Sequence, residues 1–288
     1  MKLLNGQPSE MLPLADRGLQ FGDGVFRTLR LEHGVMPFWS RHYAKLAADC
    51  AVLGLSCPAE ALLLEDIRQL GVDSATIKII ITRGESARGY AIPEGCQANR
   101  IVQATGLPAY PAEYYSQGVA VRLCATRASW QPALAGVKHL NRLENVLARR
   151  EWQDPAIFDG LLLDRDGFVV EGVLSNILLL DQQGRVLTPL LRSSGVAGVM
   201  RAIALELFAA QGYTVQEQEI PVQTLLAARQ IWLSNSLFGL LPVRQLGERQ
   251  WIVDPLDTLL QEKLQHAAEN EFLRLELPQD PARQGQRK

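Results

Sequence analysis

The sequence predicts an α+β protein built from two α/β domains joined by a short linker. Strand-type runs rich in β-branched residues, such as Ala75-Thr76-Ile77-Lys78-Ile79-Ile80-Ile81-Thr82, alternate with stretches whose apolar residues recur at helical spacing. Pro108-Ala109-Tyr110-Pro111 carries the breaker signals of a linker. At 288 residues the chain is long enough to close two modest cores. The expected organisation is a smaller domain over 1–107, a linker over 108–117, a larger domain over 118–277 and a polar, disordered tail over 278–288.

Taken in order, 2–4 reads as a strand that turns at Asn5-Gly6. Gly24-Val25-Phe26-Arg27-Thr28-Leu29-Arg30-Leu31 reads as a second strand, with a hairpin turn at His33-Gly34 leading into 35–38. From Trp39 the spacing becomes helical: Trp39, Tyr43, Leu46, Ala47, Cys50 and Leu53 form one stripe, which Gly54 closes. A second helix over 58–70 ends at Gly71, and strands follow at 75–82, 100–106 and 118–125. The second half reads as a helix over 140–153, strands through 160–170, 176–180 and 185–188, and a long helix over 196–211. A strand within 213–220, a helix over 222–228, a strand over 230–234 and a last helix over 255–272 complete the chain.

Apolar residues make up 47% and charged residues 21%, the balance of a folded globular protein. A net charge of −2 offers no basic field for nucleic acid or anionic lipid, so a small molecule is the expected partner. Met1-Lys2-Leu3-Leu4-Asn5-Gly6 lacks the apolar core of a secretion signal, and no run approaches the ~20 apolar residues that span a bilayer. A cytoplasmic protein without a membrane partner is therefore expected. Cys50, Cys57, Cys96 and Cys124 show no metal-type spacing, so reduced thiols and no metal are expected.

The chain has six lysines, at positions 2, 45, 78, 138, 263 and 288. Lys138 follows a Leu134-Ala135-Gly136 turn and precedes an amphipathic stretch, with His139 and Arg142 close by. A lysine that forms a Schiff base must be neutral at some point in its cycle, which burial or a cationic neighbour promotes. Residue types alone suit an ordinary charge near a helix start better. They also leave Glu171 open as a solvated strand-end acid, and Gly195 and Gly198 as markers of a loop before a helix.

Gly136-Val137-Lys138-His139-Leu140-Asn141-Arg142-Leu143-Glu144-Asn145-Val146-Leu147 resembles the lysine segment of the fold-type IV pyridoxal-phosphate enzymes, most closely that of the aminodeoxychorismate lyases. Four further blocks share the resemblance. They are Asp16-Arg17-Gly18-Leu19-Gln20-Phe21-Gly22-Asp23-Gly24-Val25-Phe26, Arg88-Gly89-Tyr90, Glu171-Gly172 with Ser175-Asn176, and Gly195-Val196-Ala197-Gly198-Val199-Met200-Arg201. It extends from about residue 3 to residue 245.

The resemblance implies that Lys138 holds pyridoxal 5′-phosphate as a Schiff base and that Glu171 meets the ring nitrogen. It implies a phosphate site at Gly198, Val199 and Met200, where a helix start favours a dianion, with Ser236 and Asn176 assisting. Many relatives carry a phosphate-binding arginine where this chain has Lys45, which leaves Lys45 or Arg41 as the candidate cation. Arg88 and Tyr90 stand where relatives bind substrate carboxylates. Along the strand of 24–31 alternate residues face opposite sides; Thr28 and Arg30 are the pair favoured to face the pocket, Thr28 as a candidate proton donor beside Lys138.

The implied activity is elimination across a carbon–oxygen bond, converting 4-amino-4-deoxychorismate to 4-aminobenzoate and pyruvate in folate biosynthesis. The implied assembly is a homodimer in which a small-domain loop completes the neighbour's pocket. The rival readings are a D-amino acid or branched-chain aminotransferase on the same fold, and a non-catalytic cofactor carrier.

Overall fold

The structure, a computed structural model, describes residues 1–92 and 94–275; the tail expected over 278–288 lies outside the described residues. The chain divides into two compact units, Met1–Pro108 together with the stretch from Glu271 onward, and Ala109–Asn270.

The first unit is a five-stranded antiparallel sheet backed by helices. Its elements are β1 (Lys2–Leu4), β2 (Gln7–Pro8), α1 (Arg17–Phe21), β3 (Gly24–Leu31), β4 (Val35–Pro37), α2 (Trp39–Leu53), α3 (Glu60–Gln69), β5 (Ala75–Thr82) and β6 (Asn99–Thr105). The sheet order is β2-β1-β6-β5-β3. Asn5 and Gly6 both take positive φ, as a two-residue hairpin between β1 and β2 requires. Along β3, Val25, Arg27, Leu29 and Leu31 are buried while Phe26, Thr28 and Arg30 are half-exposed, so the period-2 pattern sorts the strand's two faces. α2 packs on β3 and α3 on β6.

The second unit contains α4 (Ala112–Ser116), β7 (Val119–Arg127), α5 (Leu143–Arg149), β8 (Ile157–Leu163), β9 (Val169–Gly172), β10 (Asn176–Leu180), β11 (Val186–Pro189) and α6 (Val199–Ala210). It continues with β12 (Val215–Gln218), α7 (Val222–Ala227), β13 (Gln230–Asn235), β14 (Gly239–Leu246), β15 (Arg249–Gln250) and α8 (Pro255–Asn270). One nine-stranded mixed sheet runs β12-β11-β10-β13-β14-β7-β8-β9, with β15 paired to β14. Its core includes Val121, Leu161, Ile177, Leu179, Ile231, Leu233, Leu241 and Val243, all almost fully buried. α6 packs on β13 and β10, and α5 on β7 and β8.

Several expectations are corrected. Residues 108–117, expected as a linker, contain α4, and Tyr110, Tyr114 and Tyr115 pack against the core of the second unit. The aromatic rings outweigh the proline signals there. The helix expected over 140–153 shortens to α5 because Asn141 and Arg142 belong to the turn that precedes it. The last helix ends at Asn270 rather than Phe272, and β16 (Phe272–Arg274) pairs with β4 of the first unit. β14 was not expected, because Pro242 interrupts its apolar run; it nevertheless lies between β13 and β7, inside the sheet.

Candidate active site

Three segments of the second unit converge on Lys138. Gly136, at φ 78°, forms an isolated parallel bridge with Val196. Its N–H donates to the Gly195 carbonyl at 2.9 Å and its carbonyl accepts from the Ala197 N–H at 3.0 Å. The lysine segment is thereby laid beside the loop that leads into α6. Arg142 closes the other side: Nη2 donates to the Val137 carbonyl at 2.8 Å and Nε to the His139 carbonyl at 3.1 Å. One guanidinium thus holds the carbonyls on both sides of Lys138. Val137 and His139 are buried, and Lys138 between them is half-buried. Burial and the Arg142 charge push the His139 pKa down to about 4, so this imidazole is neutral near pH 7.

Glu171 lies near the end of β9 with 5% of its surface exposed. Its Oε2 accepts the Val196 N–H at 2.8 Å and an Asn176 Nδ2 hydrogen at 3.4 Å. Burial raises its pKa, against the opposing pull of Arg142, the Val196 N–H and Lys138. Such an acid is suited to sharing a proton with a buried base. Asn176 also donates to the Val196 carbonyl at 2.7 Å, so Val196 is clamped through both of its backbone polar groups.

The path from Val196 into α6 is closely packed. A Cβ on Gly195 would lie 2.7 Å from Leu191 and 2.8 Å from Val170, and one on Gly198 would lie 2.1 Å from Asn176 Oδ1. α6 begins at Gly198 with no side-chain cap, so no side chain takes up its first N–H groups, and Val199 and Met200 are buried. The Ser194 and Ser234 hydroxyls are buried with no hydrogen-bond partner among the described residues. Ser234 pairs with Asn176 across β13 and β10, and Ser236 follows in a turn where Asn235 Oδ1 accepts the N–H groups of Leu237 and Phe238. These residues fit pyridoxal 5′-phosphate: a lysine amine, a buried acid with raised pKa, and a glycine-lined helix start beside orphaned hydroxyls.

The turn between Glu171 and Asn176 rests on Asp159 of β8, which is fully buried. Its carboxylate accepts the Ser175 hydroxyl at 2.7 Å and the Gly160 N–H at 2.8 Å. Burial pushes its pKa up to about 7, against the Ser175 hydroxyl and nearby backbone N–H groups. With its native pKa above the unfolded value, the stability it contributes is fully present below about pH 3.8 and is lost as pH rises toward 7. Asp159→Asn does not titrate. The unfolding free energy of Asp159→Asn minus that of wild type is therefore expected to rise by about 1.4 kcal/mol per pH unit between about pH 4.5 and 6.5. Urea unfolding across that range checks it; a flat difference refutes it.

The first unit carries the other expected site residues. Lys45 and Arg27 both pair with the buried Asp49, and Arg41 makes a two-oxygen ion pair with Glu271 at 2.8 and 2.9 Å. Arg30 pairs with Glu32 at 2.8 Å on the half-exposed face of β3 that also carries Thr28, whereas Arg27 faces α2. Arg88 is exposed and Tyr90 is 84% exposed, in the loop that follows β5. Sequence reasoning missed the structural parts of Arg142, Asp159 and Arg17. Arg142 and Arg17 lie inside the motif strings, but residue type alone does not say which backbone groups a charged side chain will hold, and Asp159, outside the strings, looks like surface.

The model of the amino-transferase class IV family matches residues 24–246. The chain belongs to the amino-transferase class IV family. Within this family it is similar to the crystal structure of 4-amino-4-deoxychorismate lyase from Pseudomonas aeruginosa, with a TM-score of 0.88 and 42% identity, covering 92% of this chain and 98% of that one. It is 36% identical to an aminodeoxychorismate lyase of Vibrio harveyi, covering 87% of this chain and 93% of that protein. It is 27% identical to a D-alanine aminotransferase of Bacillus licheniformis, covering 94% and 96%. The family and fold expected from the five motif blocks are therefore borne out.

Proposed function

We propose that this class IV family member is a pyridoxal-phosphate-dependent lyase that converts 4-amino-4-deoxychorismate to 4-aminobenzoate and pyruvate, a step in folate biosynthesis. The observation that carries a lyase reading over an aminotransferase is the identity of 42% and 36% to two such lyases, against 27% to the D-alanine aminotransferase. The convergence of Lys138, Glu171 and the uncapped start of α6 supports the cofactor assignment.

In this reading Lys138 holds the cofactor, Glu171 meets its ring nitrogen, and Gly198, Val199, Met200, Asn176 and Ser236 surround its phosphate. Lys45 is favoured over Arg41 as the phosphate cation. Lys45 stands at the position where many relatives carry the phosphate-binding arginine, and it shares the buried Asp49 with Arg27. The bound cofactor supplies an electron sink for the charge left when a proton leaves the substrate carbon bearing nitrogen. The Lys138 amine removes that proton. Lys138 or Thr28 donates a proton as the ether carbon–oxygen bond breaks and pyruvate departs, leaving an aromatic ring. Arg88, Tyr90 and Arg30 hold the substrate carboxylates. A neutral His139 beside Lys138 adds no second cation to this exchange.

The reading includes a cytoplasmic homodimer. Four cysteines without a disulfide accord with a reducing compartment. Among the described residues no helix is long and apolar enough to cross a membrane. For the dimer, Leu143, Val146 and Leu147 stand 44–68% exposed on α5, an apolar face of the kind that a second subunit covers. The deciding assay supplies purified holoenzyme with aminodeoxychorismate and, separately, with D-alanine or a branched-chain amino acid plus 2-oxoglutarate. Formation of 4-aminobenzoate with equimolar pyruvate is expected. Rapid amino-group transfer without 4-aminobenzoate would reverse the reading in favour of an aminotransferase.

A further inference from the structure

The string Asp16-Arg17-Gly18-Leu19-Gln20-Phe21-Gly22-Asp23 has no part in the chemistry described above. In the first unit it builds a bracket. Asp16 is fully buried and accepts the Thr82 hydroxyl at 2.6 Å, an Asn99 Nδ2 hydrogen at 2.7 Å and the Leu19 N–H at 3.2 Å, which pins α1 to the ends of β5 and β6. Gly18 is part of the same fit, since a Cβ there would lie 2.4 Å from Thr82.

From this anchor Arg17, 3% exposed, reaches the loop that carries Arg88 and Tyr90. Its Nη1 donates to the Ser86 hydroxyl at 3.0 Å and to the carbonyls of Gly89 at 3.1 Å and Ala91 at 3.2 Å. Its Nη2 donates to the Tyr90 carbonyl at 3.1 Å. Three successive carbonyls thus turn toward one planar fork. The Nε bonds Asp23 at 2.9 Å, and Arg83 bonds the same carboxylate at 2.8 and 3.0 Å. Burial alone would raise the Asp23 pKa, but the two guanidiniums outweigh it and hold it below the usual range, so the anchor is charged near pH 7. Phe21 completes the bracket: the Arg17 guanidinium lies 5.0 Å from its ring centroid and the Tyr90 ring 5.3 Å from it. Exposed as it is, Tyr90 leans on a ring that Arg17 also holds.

We infer that Arg17 is a positioning residue for substrate recognition, fixing the turn over 86–91 and so setting where Arg88 presents its side chain. The inference rests on the proposed reading of Arg88 and Tyr90 as carboxylate-binding residues. The fork is what matters: a lysine at 17 keeps a charge beside Asp23 but cannot span three carbonyls.

The test is steady-state kinetics of the holoenzyme with aminodeoxychorismate for Arg17→Lys, Arg88→Gln and the double variant. Arg17→Lys is expected to raise KM about tenfold with kcat changed less than about threefold, because it weakens recognition and leaves the chemistry intact. Cofactor affinity, read from the visible absorption of the bound cofactor, stays at the wild-type value. If Arg17 acts through Arg88, adding Arg17→Lys to Arg88→Gln raises KM by no more than about twofold further, a non-additive cycle. Should Arg17→Lys fail to fold, Phe21→Leu leaves the buried charges in place and is expected to raise KM about threefold. A KM raised by Arg88→Gln but unmoved by Arg17→Lys and Phe21→Leu, or effects that simply add, overturns the inference alone. A KM unmoved by Arg88→Gln overturns the carboxylate reading and the inference with it.

Discussion

Lys138→Ala is expected to lower 4-aminobenzoate formation by about 10⁴-fold or more while leaving the protein folded. The loss is large because, in the proposed reading, one amine would perform both the covalent capture and the proton transfer, and a positioned acid–base group by itself is worth about 10²–10⁴. Folding should survive because the segment is held by its backbone. Gly136 bridges to Val196, and Arg142 grips the carbonyls of Val137 and His139, so none of these bonds uses the lysine side chain. Borohydride reduction followed by peptide mapping checks the assignment, with a pyridoxyl label on Lys138 in the wild type and none in the variant. A label on any other lysine of the wild-type chain, or a Lys138→Ala enzyme with near-normal turnover, would sink it.

The second large effect is expected at Glu171. Glu171→Gln keeps the shape and can still accept the Val196 N–H, but it removes the charge that, in the proposed reading, would stabilise a protonated ring nitrogen. kcat should fall about 10²-fold or more, as when one preorganised electrostatic partner is deleted from an active site. Stability should move the opposite way with pH. Burial raises the Glu171 pKa, so the wild type loses stability as pH climbs above the ordinary carboxylate range, and glutamine does not titrate. The unfolding free energy of the cofactor-free variant, relative to wild type, should therefore increase from acid to neutral pH. A kcat within a few-fold of wild type, measured with cofactor saturating, would refute the role.

The elements that could be read from the chain are those whose local and tertiary preferences agree. β3, β5 and α2 fall close to their expected limits because their apolar periodicity, the His33-Gly34 turn after β3 and the Gly54 cap of α2 all specify the same backbone. β14 was hidden because Pro242 breaks its pattern, and burial within the sheet overrides that signal. α5 starts late because the Arg142 side chain is committed to the lysine turn.

The motif strings by themselves determined the family and the identity of the candidate residues. Lys138, Glu171, Gly198, Arg88 and Tyr90 sit in blocks whose residue types and order carry that information without coordinates. Tertiary structure decided what holds those residues in place. Arg142 closes the Lys138 turn, Asp159 supports the turn between Glu171 and Asn176, and Arg17 gathers the carbonyls of the 89–91 turn. Lys45 and Arg41 are equal candidates in the sequence, and folding gives each a carboxylate partner, Asp49 and Glu271, that the sequence does not identify. The physical reason is common to the first three. A buried charge is defined by the groups that satisfy it, and those groups lie on neighbouring strands, turns and helices that come together only when the chain folds.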